Sequence, residues 1–153
     1  MTTVPNFRLH ATCIAIDGVG VLLRGPSGSG KSDLALRLID GGAHLVADDV
    51  TELVRRGNAV FACLPEAAPP ETRGRLEVRG LGILPVPSLP EAPLRIVFDL
   101  VPGAAIERLP SLRPHDFLGV PLPVIPLDPF AASAAAKVRL AVRASGGDIM
   151  RST

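Results

Sequence analysis

One stretch of eight residues has the composition and spacing of a phosphate-binding loop. A glycine and four further residues precede a second glycine, a lysine and a serine. Glycines let backbone N–H groups converge on phosphate oxygens, and the N-terminus of a following helix adds positive potential there. The lysine would reach the β- and γ-phosphates, and the serine hydroxyl would bind Mg²⁺. The sequence therefore predicts that ATP and magnesium bind at Gly25, Pro26, Ser27, Gly28, Ser29, Gly30, Lys31 and Ser32.

Two adjacent carboxylates follow this loop along the chain. Asp48 comes 17 positions after Lys31 and ends the apolar run Leu45-Val46-Ala47. Because successive residues of a strand point to opposite faces, Asp48 and Asp49 are expected to have different tasks. One would face the metal and the phosphates, and the other an acceptor group. A kinase needs an orienting carboxylate for the incoming hydroxyl besides a metal ligand, so the pair favours a kinase over a nucleotide-dependent switch.

Local patterns predict the elements that position these residues. Apolar residues 11–16 and 20–23 flank Asp17-Gly18, which is a strong hairpin signal. Between Lys31 and Asp40 the apolar residues share one helical face, and a glycine pair ends the helix. Prolines in the last predicted strand indicate an edge strand. Further strands are expected over 44–49, 50–56, 58–64, 76–78, 94–101 and 120–127, a loop over 65–74, and a helix over 130–144.

These elements predict an α/β fold with a P-loop-containing mixed sheet and flanking helices. A strand that carries acids directly after the loop helix argues against the usual doubly wound order. At 153 residues the chain fits one domain, 1–153, with a core over about 7–145.

Composition excludes several classes of protein. Hydrophobic residues make up 47% and charged residues 20%, which rules out a disordered chain. A net charge of +1 and 3% aromatic residues give no support for nucleic-acid binding. Cys13 and Cys63 lie in apolar runs without metal-ligand spacing, so both are expected to be small buried hydrophobic residues. No signal-peptide pattern and no bilayer-length apolar run is present, so a cytoplasmic protein is expected, with no membrane partner.

Taken together, the motifs resemble a known family. The segments Asp17-Gly18-Val19-Gly20-Val21-Leu22-Leu23, the phosphate loop, Leu45-Val46-Ala47-Asp48-Asp49 and Glu77-Val78-Arg79-Gly80-Leu81-Gly82-Ile83 look like the catalytic domain of HPr kinase/phosphorylase. The resemblance implies the HPr kinase C-terminal fold, which is similar to phosphoenolpyruvate carboxykinase. It also implies an ATP- and Mg²⁺-dependent kinase for a serine of HPr, the phosphocarrier of the sugar phosphotransferase system. The resemblance further implies a homo-oligomer, which in this family is a hexamer. It also implies that this chain is a short form, without the N-terminal domain of longer members.

The resemblance also implies roles for individual residues. Asp49 matches the proton acceptor of phosphorylation, with Asp48 beside it, and the two roles could be exchanged. Glu77 matches a magnesium ligand, which gives a metal set of Ser32, Glu77 and Asp48. The implied catalytic residues are His10, Lys31, Asp48, Asp49, Arg79 and Arg108.

One segment departs from the family pattern, and two other functions stay open. Longer members have a basic residue near the end of the domain, linked to dephosphorylation, whereas residues 125–131 here contain Asp128 and no basic residue. Retained kinase activity with weak phosphorolysis is therefore expected. A P-loop small-molecule kinase would need a closed pocket beside Asp49. A non-catalytic ATP-sensing module would bind ATP without transfer.

Overall fold

The computed structural model describes residues 6–145 of the chain. Within that range the chain forms ten strands and two α-helices. The strands are β1 (Asn6–Ile16), β2 (Val19–Arg24), β3 (His44–Ala47), β4 (Val50–Arg56), β5 (Ala59–Cys63), β6 (Arg75–Val78), β7 (Gly82–Pro85), β8 (Glu91–Leu100), β9 (Pro114–Phe117) and β10 (Val120–Leu127). The helices are α1 (Lys31–Asp40) and α2 (Ala134–Ala144), and short 3₁₀ turns cover Pro70–Thr72 and Gly103–Ala105.

Eight of the strands form one mixed sheet, as the sequence predicts. Its order is β2-β1-β4-β5-β8-β10-β9, with β3 on β1, and β8 also pairs with β2. Strands β2, β8 and β10 run parallel, whereas β1 is antiparallel to β2, β3 and β4. The carboxyl ends of the three parallel strands therefore lie along one edge, and the phosphate-loop segment follows β2 at that edge.

Turn chemistry explains why the predicted hairpins form. Asp17 and Gly18 have φ angles of 52° and 80°, the left-handed values that a two-residue hairpin loop between β1 and β2 requires. Gly57, with a φ of 61°, is the left-handed residue of the two-residue loop that turns the chain from β4 to β5. A separate hairpin of β6 and β7 carries the glycine-rich segment around Arg79. The predicted β1–β2 and β4–β5 hairpins are confirmed, whereas strand β7 and its pairing with β6 are not predicted from the sequence.

Two predicted boundaries are wrong for local reasons. Strand β3 ends at Ala47, and Asp49 has a φ of 68°, so the two acids lie in a tight turn and not on a strand. Helix α2 begins at Ala134, because the Asp128 carboxylate accepts a hydrogen bond from the backbone N–H of Phe130 and holds a turn there.

The proline-rich strand β10 lies between β8 and β9 in the sheet order, whereas the sequence predicts a strand at the end of the sheet. Its first half pairs with β9 and its second half with β8. Each half of β10 therefore has one paired side and one unpaired side. Because proline has no N–H group to donate, prolines are tolerated where that position of the backbone faces the unpaired side.

Two apolar clusters hold the sheet and its helices together. One lies between the sheet and both helices, and it includes Leu34, Leu38 and Phe98. The other packs on the opposite side and includes Cys13, whose burial raises the pKa of its thiol to about 12. Cys63 is half-buried, so the prediction of burial is confirmed for Cys13 and only partly for Cys63. Neither helix in residues 6–145 is long and apolar enough to cross a membrane.

Replacing Leu38 with alanine is expected to lower the free energy of unfolding by about 2–5 kcal/mol, because its fully buried side chain anchors α1 on the sheet. Denaturant titration measures this change. Leu140→Ala, at a position that is 61% exposed on α2, is the matched control and should change stability little. Equal losses for the two variants would contradict the assigned core.

Candidate active site

The phosphate-loop segment forms a tight turn that ends at the N-terminus of α1. The backbone N–H of Ser29 donates to the Pro26 carbonyl (3.0 Å), and Gly28 and Gly30 have φ angles of 81° and 97°. Such values favour glycine, so the turn explains both residues. Gly30 is the N-cap of α1 and lacks a capping side chain, which leaves N–H groups of the first turn available to an anion.

Lys31 is folded back onto this loop. Its Nζ donates to the carbonyls of Gly25 (2.7 Å) and Pro26 (3.0 Å), and the residue is only 7% exposed. The two carbonyl oxygens thus accept the hydrogen bonds that the ammonium group would donate to a bound phosphate anion. The ammonium group is already positioned over the loop.

The Asp48 carboxylate joins three elements. Its Oδ1 accepts hydrogen bonds from Ser32 Oγ on α1 (3.0 Å) and Thr12 Oγ1 on β1 (3.1 Å). Its Oδ2 accepts from the backbone N–H of Glu77 on β6 (3.2 Å). The structure therefore brings together Ser32, Asp48 and the backbone of Glu77, three of the residues that the sequence singles out.

Sequence reasoning missed Thr12, which completes this group. Thr12 is fully buried, and its hydroxyl also accepts a hydrogen bond from the backbone N–H of Asp49 (3.3 Å). One hydroxyl thus holds the turn that carries both acids. A single threonine in the apolar run Ala11–Ile16 is the signal that could have found it, since a buried hydroxyl needs a partner.

The remaining predicted residues lie at the exposed rim. Asp49 is exposed, and His10, also exposed, stands opposite Val50 in the β1–β4 pairing and hence close to the acid turn. Arg79 lies in the β6–β7 turn and Arg108 in the loop after β8, both exposed. Within residues 6–145, neither arginine takes part in the hydrogen bonds around Asp48, so their roles stay predictions.

Comparison with known proteins agrees with this geometry. The family model described as the HPr Serine kinase C-terminal domain matches residues 2–90, which contain both the phosphate loop and the acid turn. The chain belongs to this family. The resemblance drawn from the motifs is thereby confirmed.

Relatives within the HPr kinase family extend the match beyond residue 90. The chain is 42% identical over 121 residues to the HPr kinase/phosphorylase of Alkaliphilus metalliredigens, covering 78% of this chain and 38% of that protein. It is 37% identical over 150 residues to the enzyme of Burkholderia lata, covering 91% and 46%. The chain thus spans less than half the length of these relatives.

A solved structure of the Hpr(Ser) kinase/phosphatase from Coxiella burnetii matches with a TM-score of 0.75 and 28% identity, covering 90% of this chain and 94% of that one. The mixed α/β fold is therefore that of the HPr kinase family, as predicted.

The oxygen atoms at Asp48 fit a magnesium ion. The Ser32 hydroxyl and the Asp48 carboxylate are hydrogen-bonded neighbours, and both present oxygen atoms, the ligands that Mg²⁺ prefers. Among the described residues no group of three His, Cys, Asp or Glu side chains is arranged for a metal. Phosphate and water oxygens would complete the shell, which is how Mg²⁺ usually binds. Glu77 as a third ligand stays a prediction.

Replacing Thr12 with valine is expected to raise the Mg²⁺ concentration needed for half-maximal activity and to lower the free energy of unfolding by about 1–3 kcal/mol. The reason is that Asp48 loses a donor and the Asp49 N–H loses its acceptor. Magnesium titrations of activity and denaturant titrations measure the two effects.

Thr51→Val is the matched control, because Thr51 is equally buried and donates to the Ala11 carbonyl outside this group. Thr12→Ser should restore the magnesium response. If both valine variants had the same magnesium requirement, Thr12 would have only a structural role.

Proposed function

We propose that this chain is an ATP- and Mg²⁺-dependent protein-serine kinase whose substrate is the phosphocarrier HPr or a paralogue. The observation that carries the proposal is the Asp48 carboxylate, which bonds to the serine of the phosphate loop while the next residue, Asp49, stands exposed. Family membership supports the same function, since the named relatives are HPr kinases.

The residues divide the chemistry between them. Lys31 would leave the Gly25 and Pro26 carbonyls and bind the β- and γ-phosphates, and Arg79 and Arg108 would neutralise charge on the transferred group. Ser32 and Asp48, with Glu77 nearby, would hold Mg²⁺, which neutralises phosphate charge when bound. His10 would stand near the transferred phosphate.

Asp49 would accept the proton of the serine hydroxyl. The serine oxygen forms a bond to the γ-phosphorus, while the bond from that phosphorus to the oxygen bridging to the β-phosphate breaks and ADP departs. Asp48 is already engaged by three donors, whereas Asp49 is exposed at the rim. This difference favours Asp48 for the metal and Asp49 for the base.

The open setting of Asp49 supports a protein acceptor over a small molecule. The described residues contain cavities of about 330 and 220 Å³, lined by residues around Pro110 and around Gly41 respectively, and neither includes an acid of the turn. A small-molecule kinase normally encloses its acceptor. An exposed carboxylate beside the phosphate loop suits a serine presented by another protein.

Labelled ATP, Mg²⁺ and purified HPr test the proposal. Phosphoserine on HPr is expected with the unaltered chain and should be lost with Lys31→Met. Lys137→Met is the matched control, because Lys137 is the other lysine of the chain and lies exposed on α2. ATP binding without transfer would indicate a sensor, and transfer only to small molecules would indicate the other kinase class. The homo-oligomer stays a prediction, which sedimentation of the chain tests.

Slow phosphorolysis is a separate expectation from Asp128. An acid near the site repels inorganic phosphate and phosphoserine, so Asp128→Asn should raise pyrophosphate release from phospho-HPr about fivefold, equivalent to about 1 kcal/mol of repulsion. Asparagine keeps an acceptor for the Phe130 N–H. Fast pyrophosphate release by the unaltered chain would contradict the expectation, and Asp116→Asn, exposed on β9, is the control.

A further inference from the structure

The side chain of Phe130 lies against the phosphate loop. A β-carbon added to Gly30 would stand 3.3 Å from Cε1 of Phe130 and 3.2 Å from Pro129, so the loop passes these two residues in close contact. Gly30 is the N-cap of α1 and immediately precedes Lys31. The ring is therefore placed at the rim of the predicted triphosphate site.

The short segment that carries this ring is held from both sides. The Asp128 carboxylate accepts from the backbone N–H of Phe130 (3.0 Å). The guanidinium of Arg37 on α1 donates to the Pro129 carbonyl and is itself ion-paired with Asp33 (3.2 Å). The segment is thus tied to the same helix that carries Lys31 and Ser32. A preorganised ring loses little conformational entropy when a ligand binds to it.

Phe130 remains 70% exposed in spite of these contacts. Packing against the loop uses one edge of the ring and leaves most of its surface to solvent. The chain has five phenylalanines and no tyrosine or tryptophan, so exposed aromatic rings are scarce in it. An exposed ring held in place beside a phosphate site has the properties of a stacking surface for a flat heterocycle.

The sheet places this ring on the side where a nucleotide would extend. The phosphate loop follows β2 and Phe130 follows β10, and both strands run parallel to β8. Ligands of such sheets bind at the carboxyl edge of the parallel strands. With the phosphates at the start of α1, a nucleotide that extends along this edge would bring its base towards Phe130.

We propose that Phe130 is the surface on which the base of the bound nucleotide stacks. The inference rests on the proposed function, since it requires a nucleoside triphosphate in the phosphate loop. Stacking does not depend on the identity of the base, so the ring should support adenine and guanine alike.

Calorimetry with ATP, GTP and tripolyphosphate tests this assignment, because tripolyphosphate has the phosphates without the base. Phe130→Ala is expected to weaken ATP and GTP binding by roughly 5- to 150-fold and to leave tripolyphosphate binding unchanged. Phe130→Tyr should bind all three like the unaltered chain. Leu140→Ala removes an exposed apolar side chain elsewhere and is the control.

Fluorescence gives a second readout that does not depend on activity. Phe130→Trp would introduce the only tryptophan of the chain. Its emission should change saturably with ATP and GTP and stay unchanged with tripolyphosphate. This variant also reports directly on the ring's surroundings.

Three results would overturn the stacking role. Equal weakening of ATP and tripolyphosphate by Phe130→Ala would show that the ring only shapes the loop. A raised KM for HPr with unchanged ATP binding would assign the ring to the protein substrate. If Phe130→Ala changed neither ATP binding nor HPr phosphorylation, the ring would have no role in nucleotide binding, and the proposed kinase function would be unaffected. If the unaltered chain bound neither ATP nor tripolyphosphate, the proposed function would fail as well.

Discussion

Replacing Asp48 with asparagine is expected to lower the rate of HPr phosphorylation by roughly 10²–10⁴-fold and to weaken the response to Mg²⁺. The side chain loses its charge and keeps only one accepting oxygen, whereas the Ser32 hydroxyl and the Glu77 N–H donate to two different oxygens of the Asp48 carboxylate. One of these two donors would then face the amide N–H₂, which cannot accept a hydrogen bond. Initial rates at several Mg²⁺ concentrations measure the effect.

The same variant should also be less stable than the unaltered chain, because Asp48 links α1, β1 and β6. A loss of about 1–3 kcal/mol in the free energy of unfolding is expected for the partners left unpaired. Asp40→Asn, at the exposed end of α1, is the matched control. If Asp48→Asn were fully active at the usual Mg²⁺ concentration, Asp48 would not be a ligand of the metal.

Replacing Asp49 with asparagine is expected to lower kcat by roughly 10²–10⁴-fold while ATP affinity, the Mg²⁺ requirement and stability stay unchanged. Asparagine cannot take the proton of the serine hydroxyl, but the side chain of Asp49 is exposed and, within residues 6–145, forms no hydrogen bond that holds another element in place. The backbone N–H that bonds to Thr12 is retained. Single-turnover transfer and ATP binding, measured side by side, separate these quantities.

Opposite results for the two variants would exchange the roles of the acids. A magnesium defect in Asp49→Asn with a pure kcat defect in Asp48→Asn would make Asp48 the base. Asp49 has a φ of 68°, which asparagine adopts readily, so the substitution preserves the turn. Retained transfer in both variants would remove the pair from the mechanism.

Much of the site could be predicted from local patterns. The phosphate loop, helix α1 and the β1–β2 hairpin depend on glycines, a hairpin dipeptide and helical periodicity within a few residues of one another. These signals are local, so tertiary packing did not override them. The alternation rule for Asp48 and Asp49 failed because β3 ends one residue before them, and a tight turn separates their side chains instead.

Residues far apart in the chain could be brought together only by the fold. Thr12 and Asp48 are 36 positions apart and meet because β1 pairs with both β3 and β4. The contact of Phe130 with Gly30 spans about a hundred residues and depends on the parallel order of β2, β8 and β10.

The amino-acid sequence by itself determined the phosphate loop, the pair of acids that follows the apolar run of the third strand, and the family to which the chain belongs. Each of these is a property of short segments, since backbone conformation and charge act over a few residues. The tertiary structure alone decided which acid bonds to the loop serine, which buried hydroxyl supports it and which aromatic ring borders the site. Those pairings are set by strand register and sheet order, and no local pattern specifies either.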